Sequence, residues 1–229
     1  MIKTNLSQKR LTNFKSLKKG ILISFEGIEG CGKTTQAKLL AKELSRVGYR
    51  VKLTREPGGT AAGEKVRLIL LKSKNIKIAP LTELLLYLSS RSQHITEVIR
   101  EYLREKYIVI TDRFHDSSIA YQGFGRKLGE KTVRELNKIA TGGLMPHITF
   151  VLDCPVSIGL GRTRRRTSKP DRLEREALAF HRRVRHGYLL TAMREKGRII
   201  VINATRPKEK IAETIKKIVK NKFKLRTTR

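Results

Sequence analysis

The sequence predicts an α/β fold with a parallel sheet covered on both faces. Two observations carry that prediction. Short β-rich apolar runs recur along the chain with helix-periodic stretches between them, and strands joined through helices run parallel. One run ends in a glycine-rich turn and two end in aspartate, so polar groups gather at strand carboxyl ends, where ligands bind in such sheets.

The elements follow in order. Ile21–Glu26 (ILISFE) is a buried-strand run closed by Gly27. From Lys33 to Val47 the apolar residues Ala37, Leu40, Ala41 and Leu44 share one helix face, and Gly48 suits the stop. Tyr49–Thr54 alternates like a strand before REPGGT breaks it. Leu81–Arg104 is long and helix-periodic. Tyr107–Asp112 and His147–Asp153 are β-rich, Ile199–Ile202 is a last short strand, and Pro207 suits the first turn of a terminal helix. No internal repeat is present.

The 229 residues suffice for one domain with a full core. No apolar run approaches the roughly 18–20 residues that span a bilayer, so the chain is expected to be soluble, with no membrane partner. Two cysteines, Cys31 and Cys154, make no disulfide framework and fit a reducing compartment, here the cytoplasm. Lys and Arg number 51 against 20 Asp and Glu, a formal net charge of +31. Such a balance favours anions, but the basic residues run along the whole chain, which equally fits a lineage-wide bias with no partner. Residues 1–20 are basic and acid-free. They read as a disordered extension, with an organelle-targeting segment as the alternative. The domain is expected over 21–222, with a basic tail over 223–229 that frays.

The firmest motif is Gly27-Ile28-Glu29-Gly30-Cys31-Gly32-Lys33-Thr34, a full G-x-x-x-x-G-K-[ST] match between a strand and an amphipathic helix. Glycines let backbone N–H groups turn toward phosphate oxygens at the positive end of the helix. Lys33 would reach the β and γ phosphates of a nucleoside triphosphate, and the cradle alone does not choose among GTPases, motor ATPases, helicases and small-molecule kinases. Thr34 would bind Mg²⁺, and Thr35 completes the set. Cys31 precedes a helix N-terminus near Lys33, which favours a reactive thiol that nucleotide protects; an inert small residue is the alternative.

Five further segments resemble the thymidylate kinases: TREPGGT (Thr54–Thr60), LLYLSSRSQH (Leu85–His94), TDRF (Thr111–Phe114), SSIAYQG (Ser117–Gly123) and the arginine-rich stretch ending in DRLE (Asp171–Glu174). The likeness runs from about Ile21 past Pro207. It implies a P-loop kinase fold: a five-stranded parallel sheet flanked by helices, a mobile lid, and often a homodimer. It also implies ATP-dependent phosphorylation of dTMP to dTDP, with Mg²⁺ as cofactor.

For the acceptor, the resemblance puts Arg55 and Arg113 on the dTMP phosphate, as guanidinium forks at strand ends allow. Asp112 would be a second Mg²⁺ anchor, and Glu56 would orient Arg55 or join the metal network. Tyr87 takes the place of the family's usual phenylalanine against the base, with Arg91 one turn on. Ser118, Tyr121 and Gln122 follow, Tyr121 against the sugar and Gln122 offering a donor–acceptor pair to a pyrimidine edge. Glu29 inside the loop would accept a hydrogen bond from the sugar 3′-hydroxyl. Some members carry an arginine in the phosphate loop; here Gly30 and Cys31 stand there. That cation would come from the lid, about 161–170 (GRTRRRTSKP), with Arg166 on the phosphates and Arg162 near adenine; Arg164 is also a candidate. Catalysis would then rest on Lys33, Asp112, Arg113 and Arg166. The alternatives are a kinase for another nucleoside monophosphate and a nucleic-acid-stimulated ATPase. No aromatic-and-basic nucleic-acid module supports the latter.

Overall fold

The computed structural model of the chain describes residues 14–15, 17–72, 76–166 and 171–225. Five strands form one parallel sheet: β1 (Ile21–Glu26), β2 (Val51–Arg55), β3 (Ile108–Asp112), β4 (Ile148–Asp153) and β5 (Ile199–Asn203), in the order β2-β3-β1-β4-β5. The order reverses around β1, so the segment after β1 opens at the switch point of the sheet. All six β1 residues are buried, as are most of β3 and β4, whereas the edge strands β2 and β5 are only partly covered. That difference explains why ILISFE reads as a continuous apolar run and VKLTR alternates.

The helices are α1 (Lys33–Arg46), α2 (Ala61–Lys72), α3 (Pro80–His94), α4 (Arg100–Arg104), α5 (His115–Ser118), α6 (Glu130–Thr141), α7 (Val156–Arg166), α8 (Leu178–Arg194) and α9 (Lys208–Phe223). Helix α1 buries Ala37, Leu40, Ala41 and Leu44, the face its spacing predicts. The long periodic stretch after Pro80 is α3 continued through a π-helical turn, Ile95–Ile99, into α4. A second π-helical turn, Ile119–Gly125, follows α5. Pro207 stands one residue before α9, as its N-cap.

The main core packs β1, β3 and β4 against α1, α8 and α9, with Phe25 and Phe150 centred 5.5 Å apart on neighbouring strands. The described part of 1–20 touches this body: the Lys15 N–H donates to the Gly48 carbonyl at 2.8 Å, and Leu17 packs on the core. Within the segment expected as a lid, residues up to Arg166 belong to α7; 167–170 and the Arg166 side chain lie outside the described residues. Among the described residues no helix is long and apolar enough to cross a membrane.

Candidate active site

The register of the sheet decides which side chains meet. Arg55 pairs with Asp112, Asp112 with Phe25, and Glu26 with Val151, so the carboxyl ends of four strands fall in one row. A cleft of about 540 Å³ opens there. The phosphate loop (Glu29, Gly30, Gly32, Lys33, Thr34, Thr35) lines it together with Arg55, Glu56, Tyr87, Asp112, Arg113 and Arg162.

The loop rests on α7. Gly30 has φ +69°, and a Cβ there would lie 1.9 Å from the Gly159 carbonyl; a Cβ on Gly159 would in turn lie 2.5 Å from the Glu29 carbonyl. No side chain fits between these backbones, which accounts for the absence of an arginine at Gly30. Lys33 is buried, and its Nζ donates to the carbonyls of Gly27 at 3.0 Å and Ile28 at 2.7 Å. Cys31 is 2 % exposed and belongs to the main core, so packing shields its thiol. Lys33 Nζ donates to its Sγ at 3.6 Å, and the burial favours the inert small residue of the two readings.

Thr34 Oγ1 donates to Asp112 Oδ2, which places the two expected metal anchors in direct contact at the cleft wall. Two hard oxygens on rigid elements fit Mg²⁺, which takes few protein ligands and completes its shell with water and substrate phosphate. Among the described residues no group of three His, Cys, Asp or Glu side chains could hold a metal by itself, consistent with that mode.

Arg113 has φ +74°, unusual for a residue with a side chain. Its NH1 reaches Gly27 O, Ser117 Oγ and Tyr188 OH, each at 3.2 Å; its NH2 reaches Glu29 Oε1 at 3.1 Å and Tyr121 OH at 3.0 Å. Glu29 Oε1 also accepts from Tyr121 OH at 2.5 Å, while Oε2 has no hydrogen bond and lies 3.3 Å from His181 Nδ1. Burial works to raise the Glu29 pKa, but His181, Arg113, Lys33 and Tyr121 outweigh it and bring it to about 2. Glu29 is therefore a charged acceptor, with Oε2 buried against His181. Arg55, on the other wall, donates from NH2 to both oxygens of Glu64, at 2.9 and 3.0 Å.

The residues expected around the base sit deeper. Tyr87 lines the cleft; Arg91, Ser118, Tyr121 and Gln122 are buried and do not. Arg91 donates to Glu56 Oε2 at 2.7 Å, Ser118 Oγ at 2.8 Å, Asn137 Oδ1 at 2.6 Å and Phe114 O at 3.0 Å. The Glu56 carboxylate thus turns to Arg91 and His94 and away from Arg55, and only its backbone N–H reaches Asp112, donating to the carbonyl at 3.0 Å. Gln122 Nε2 donates to Glu83 Oε1 at 2.7 Å, and Arg126 and Arg172 close on the same carboxylate. Through Arg172 the DRLE segment is tied to the helix that carries Tyr87. Arg162 reaches the Ala204 carbonyl at 3.0 Å beside the phosphate loop, and Arg164 is exposed.

A family model described as thymidylate kinase matches residues 25–215. The chain belongs to the thymidylate kinase family. The activity for which that family is named is phosphoryl transfer to dTMP, giving dTDP. A thymidylate kinase of Trichlorobacter lovleyi is 48 % identical over 85 % of this chain and 94 % of its own; that of Geobacter sulfurreducens is 46 % identical over 89 % and 98 %. A crystal structure of thymidylate kinase from Ehrlichia chaffeensis superposes with a TM-score of 0.71 at 35 % identity, covering 88 % of this chain and 99 % of that one.

Sequence reasoning missed Arg67, Leu71 and Leu173 in the walls of this kinase cleft, and Glu26, Ser117, His181 and Tyr188 behind it. Helix α8 carries no motif. His181 and Tyr188 are findable only as polar residues on its buried stripe with Phe180, Val184, Gly187 and Thr191. Glu26 is an acid ending a wholly buried strand, a local contradiction that marks a functional position.

Proposed function

We propose that this chain transfers the γ-phosphoryl group of ATP to dTMP with Mg²⁺, releasing ADP and dTDP. The observation that supports this reading best is the single cleft that joins the phosphate loop to Arg55, Tyr87 and Arg113 on the facing wall. Two anionic substrates would lie end to end there, with cations between them.

Lys33 and the loop amides bind the donor phosphates, and Arg113 and Arg55 hold the acceptor phosphate in line. Thr34 and Asp112 hold Mg²⁺, which neutralises charge on the donor phosphates when bound. Glu29, a charged carboxylate lining the cleft, accepts the 3′-hydroxyl of the acceptor sugar. Tyr87 packs on the base and Tyr121 stands against the sugar. Arg91 retains one N–H on NH2, and Gln122 retains its amide carbonyl, for the base edge. Ser118 fixes Arg91. Arg162, Arg164 and Arg166 supply the cation that the loop lacks. Rate acceleration comes from positioning and charge stabilisation, with no covalent intermediate.

A panel of dTMP, dUMP, CMP, UMP, AMP and GMP in an ADP-release assay tests this reading. The expected order has dTMP first and ribonucleotides poor. A single methyl in an apolar pocket is worth about 1–3 kcal/mol, so dUMP should fall about 10–200-fold behind. Equal turnover of CMP or AMP overturns the proposal.

A further inference from the structure

We propose that Glu26 is a positioning residue that sets the Arg113 guanidinium by orienting the hydroxyls of Ser117 and Tyr188, and that it does so in its ionised form. The proposal rests on the reading of Arg113 as the holder of the acceptor phosphate.

Glu26 is fully buried at the end of β1, directly before the phosphate loop. Its Oε2 accepts from Ser117 Oγ at 2.6 Å and from Tyr188 OH at 3.0 Å. Both hydroxyls also lie 3.2 Å from Arg113 NH1. A guanidinium only donates, and NH1 shares its two N–H groups among these hydroxyls and the Gly27 carbonyl, so a hydroxyl that accepts from Arg113 must send its own proton elsewhere. The hydroxyls are 2.9 Å apart, and one can donate to the other, but that leaves the second proton without an acceptor. A carboxylate oxygen that takes both protons resolves the conflict. Glu26 therefore fixes the polarity of the cradle in which Arg113 lies.

Its other oxygen acts on the backbone. Glu26 Oε1 accepts from the Phe114 N–H at 2.7 Å, one residue beyond the left-handed Arg113, and from Ser24 Oγ at 3.0 Å. A side-chain residue in that conformation is strained and persists only where its surroundings hold it at several points. One carboxylate holds Arg113 through its side-chain partners and through the next peptide.

Protonation would undo part of this. Oε1 faces an N–H that cannot accept and one hydroxyl, Ser24, that can, whereas Oε2 faces two hydroxyls; a proton on Oε2 donates to one of them and reverses its sense. Arg113 faces Glu26 from the segment after β3, Asp116 from α5 and Tyr188 from α8; Asp116 is itself paired with His115 and Arg198. Burial, then the charge of Asp116, raises the Glu26 pKa to about 7 against the opposing pull of Ser117, Arg113 and Phe114. The hold should therefore weaken as pH falls through neutrality.

The test is steady-state kinetics of Glu26→Gln against wild type, from about pH 5.5 to 8.5, with dTMP and ATP varied separately. Glutamine keeps the shape but replaces one acceptor with a donor. The expected result is a loss of about tenfold or more in kcat/KM for dTMP, because hydrogen bonds to charged groups are at stake. The KM for ATP should be unchanged, and the limb near neutrality should vanish. Tyr188→Phe should shift the same parameter in the same direction and add little in the Glu26→Gln background. A folded Glu26→Gln enzyme with wild-type dTMP kcat/KM and pH profile overturns the proposal. If that variant does not fold, a wild-type result for Tyr188→Phe does so. Arg113→Lys separates the failures. If it is impaired while Glu26→Gln is normal, only the role of Glu26 falls. If it is itself normal, the role of Arg113 falls.

Discussion

Arg91 is the largest fully buried side chain of the described residues, at 1 % exposure, and it faces Glu56 across the neck of the acceptor region. Removing one member of a buried ion pair leaves the other charge uncompensated, at a cost of about 3–5 kcal/mol. Arg91→Leu should accordingly lower Tm by roughly 10 °C, measurable by calorimetry. An unchanged Tm would mean that the pair is not worth its desolvation. Glu26 gives a pH-dependent counterpart. Its folded pKa lies near 7, above the ordinary 4.5, so between those values the native state binds more protons than the unfolded state. Stability then falls as pH rises across that window, in the opposite sense to the activity expected from Glu26. Thermal scans should show Glu26→Gln gaining on wild type from about pH 5 to 7, the linkage sign of a buried carboxyl.

Among elements, the contact between the phosphate loop and α7 matters most. Gly30 and Gly159 meet backbone to backbone, and Thr163 Oγ1 would lie 2.9 Å from any Cβ on Gly30. Helix α7 is thus mounted on the loop proposed to bind phosphate, and shifting one shifts the other. Gly30→Ala has no flexible neighbour to displace and is strained at its positive φ as well. It should raise the KM for ATP by about tenfold or more, the scale of a small misplacement at a reacting centre. Comparing KM values for ATP and dTMP checks this, and an ATP KM within twofold of wild type would show that α7 yields freely.

At the scale of the whole molecule, an apolar surface remains beside the acceptor wall. Leu68 and Ile69 on α2, and Leu81 and Leu85 on α3, are all more than 40 % exposed, and the two helices pack side by side. Four exposed apolar side chains on two neighbouring helices of a chain of net charge +31 are candidates for burial against a second copy. The homodimer that the family resemblance implies would use them. Leu81→Asp with Leu85→Asp should convert the dimer to a monomer in light scattering. A wild-type chain that is monomeric at micromolar concentration would dispose of the idea.

The sequence by itself determined the parts made of consecutive residues. ILISFE, the glycine spacing after it and the Ala37–Leu44 stripe specify strand, loop and helix locally, because phosphate binding by a loop is done by backbone that short-range geometry sets. Alternation of strands and helices likewise implied a parallel sheet, and the family motifs named Arg55, Tyr87 and Arg113, which line the cleft, together with Arg91, Ser118, Tyr121 and Gln122, which are buried and do not. Pairings among side chains were a tertiary decision. Nothing in periodicity says that Glu56 turns to Arg91, that Gln122 gives its amide to Glu83, or that Cys31 packs into the core. Nor does it bring Glu26 of β1, Ser117 of α5 and Tyr188 of α8 onto one guanidinium. These groups are far apart in the chain and are joined only when β1 and α8 close the core. Once buried, each polar atom must find a partner among whatever neighbours that packing supplies.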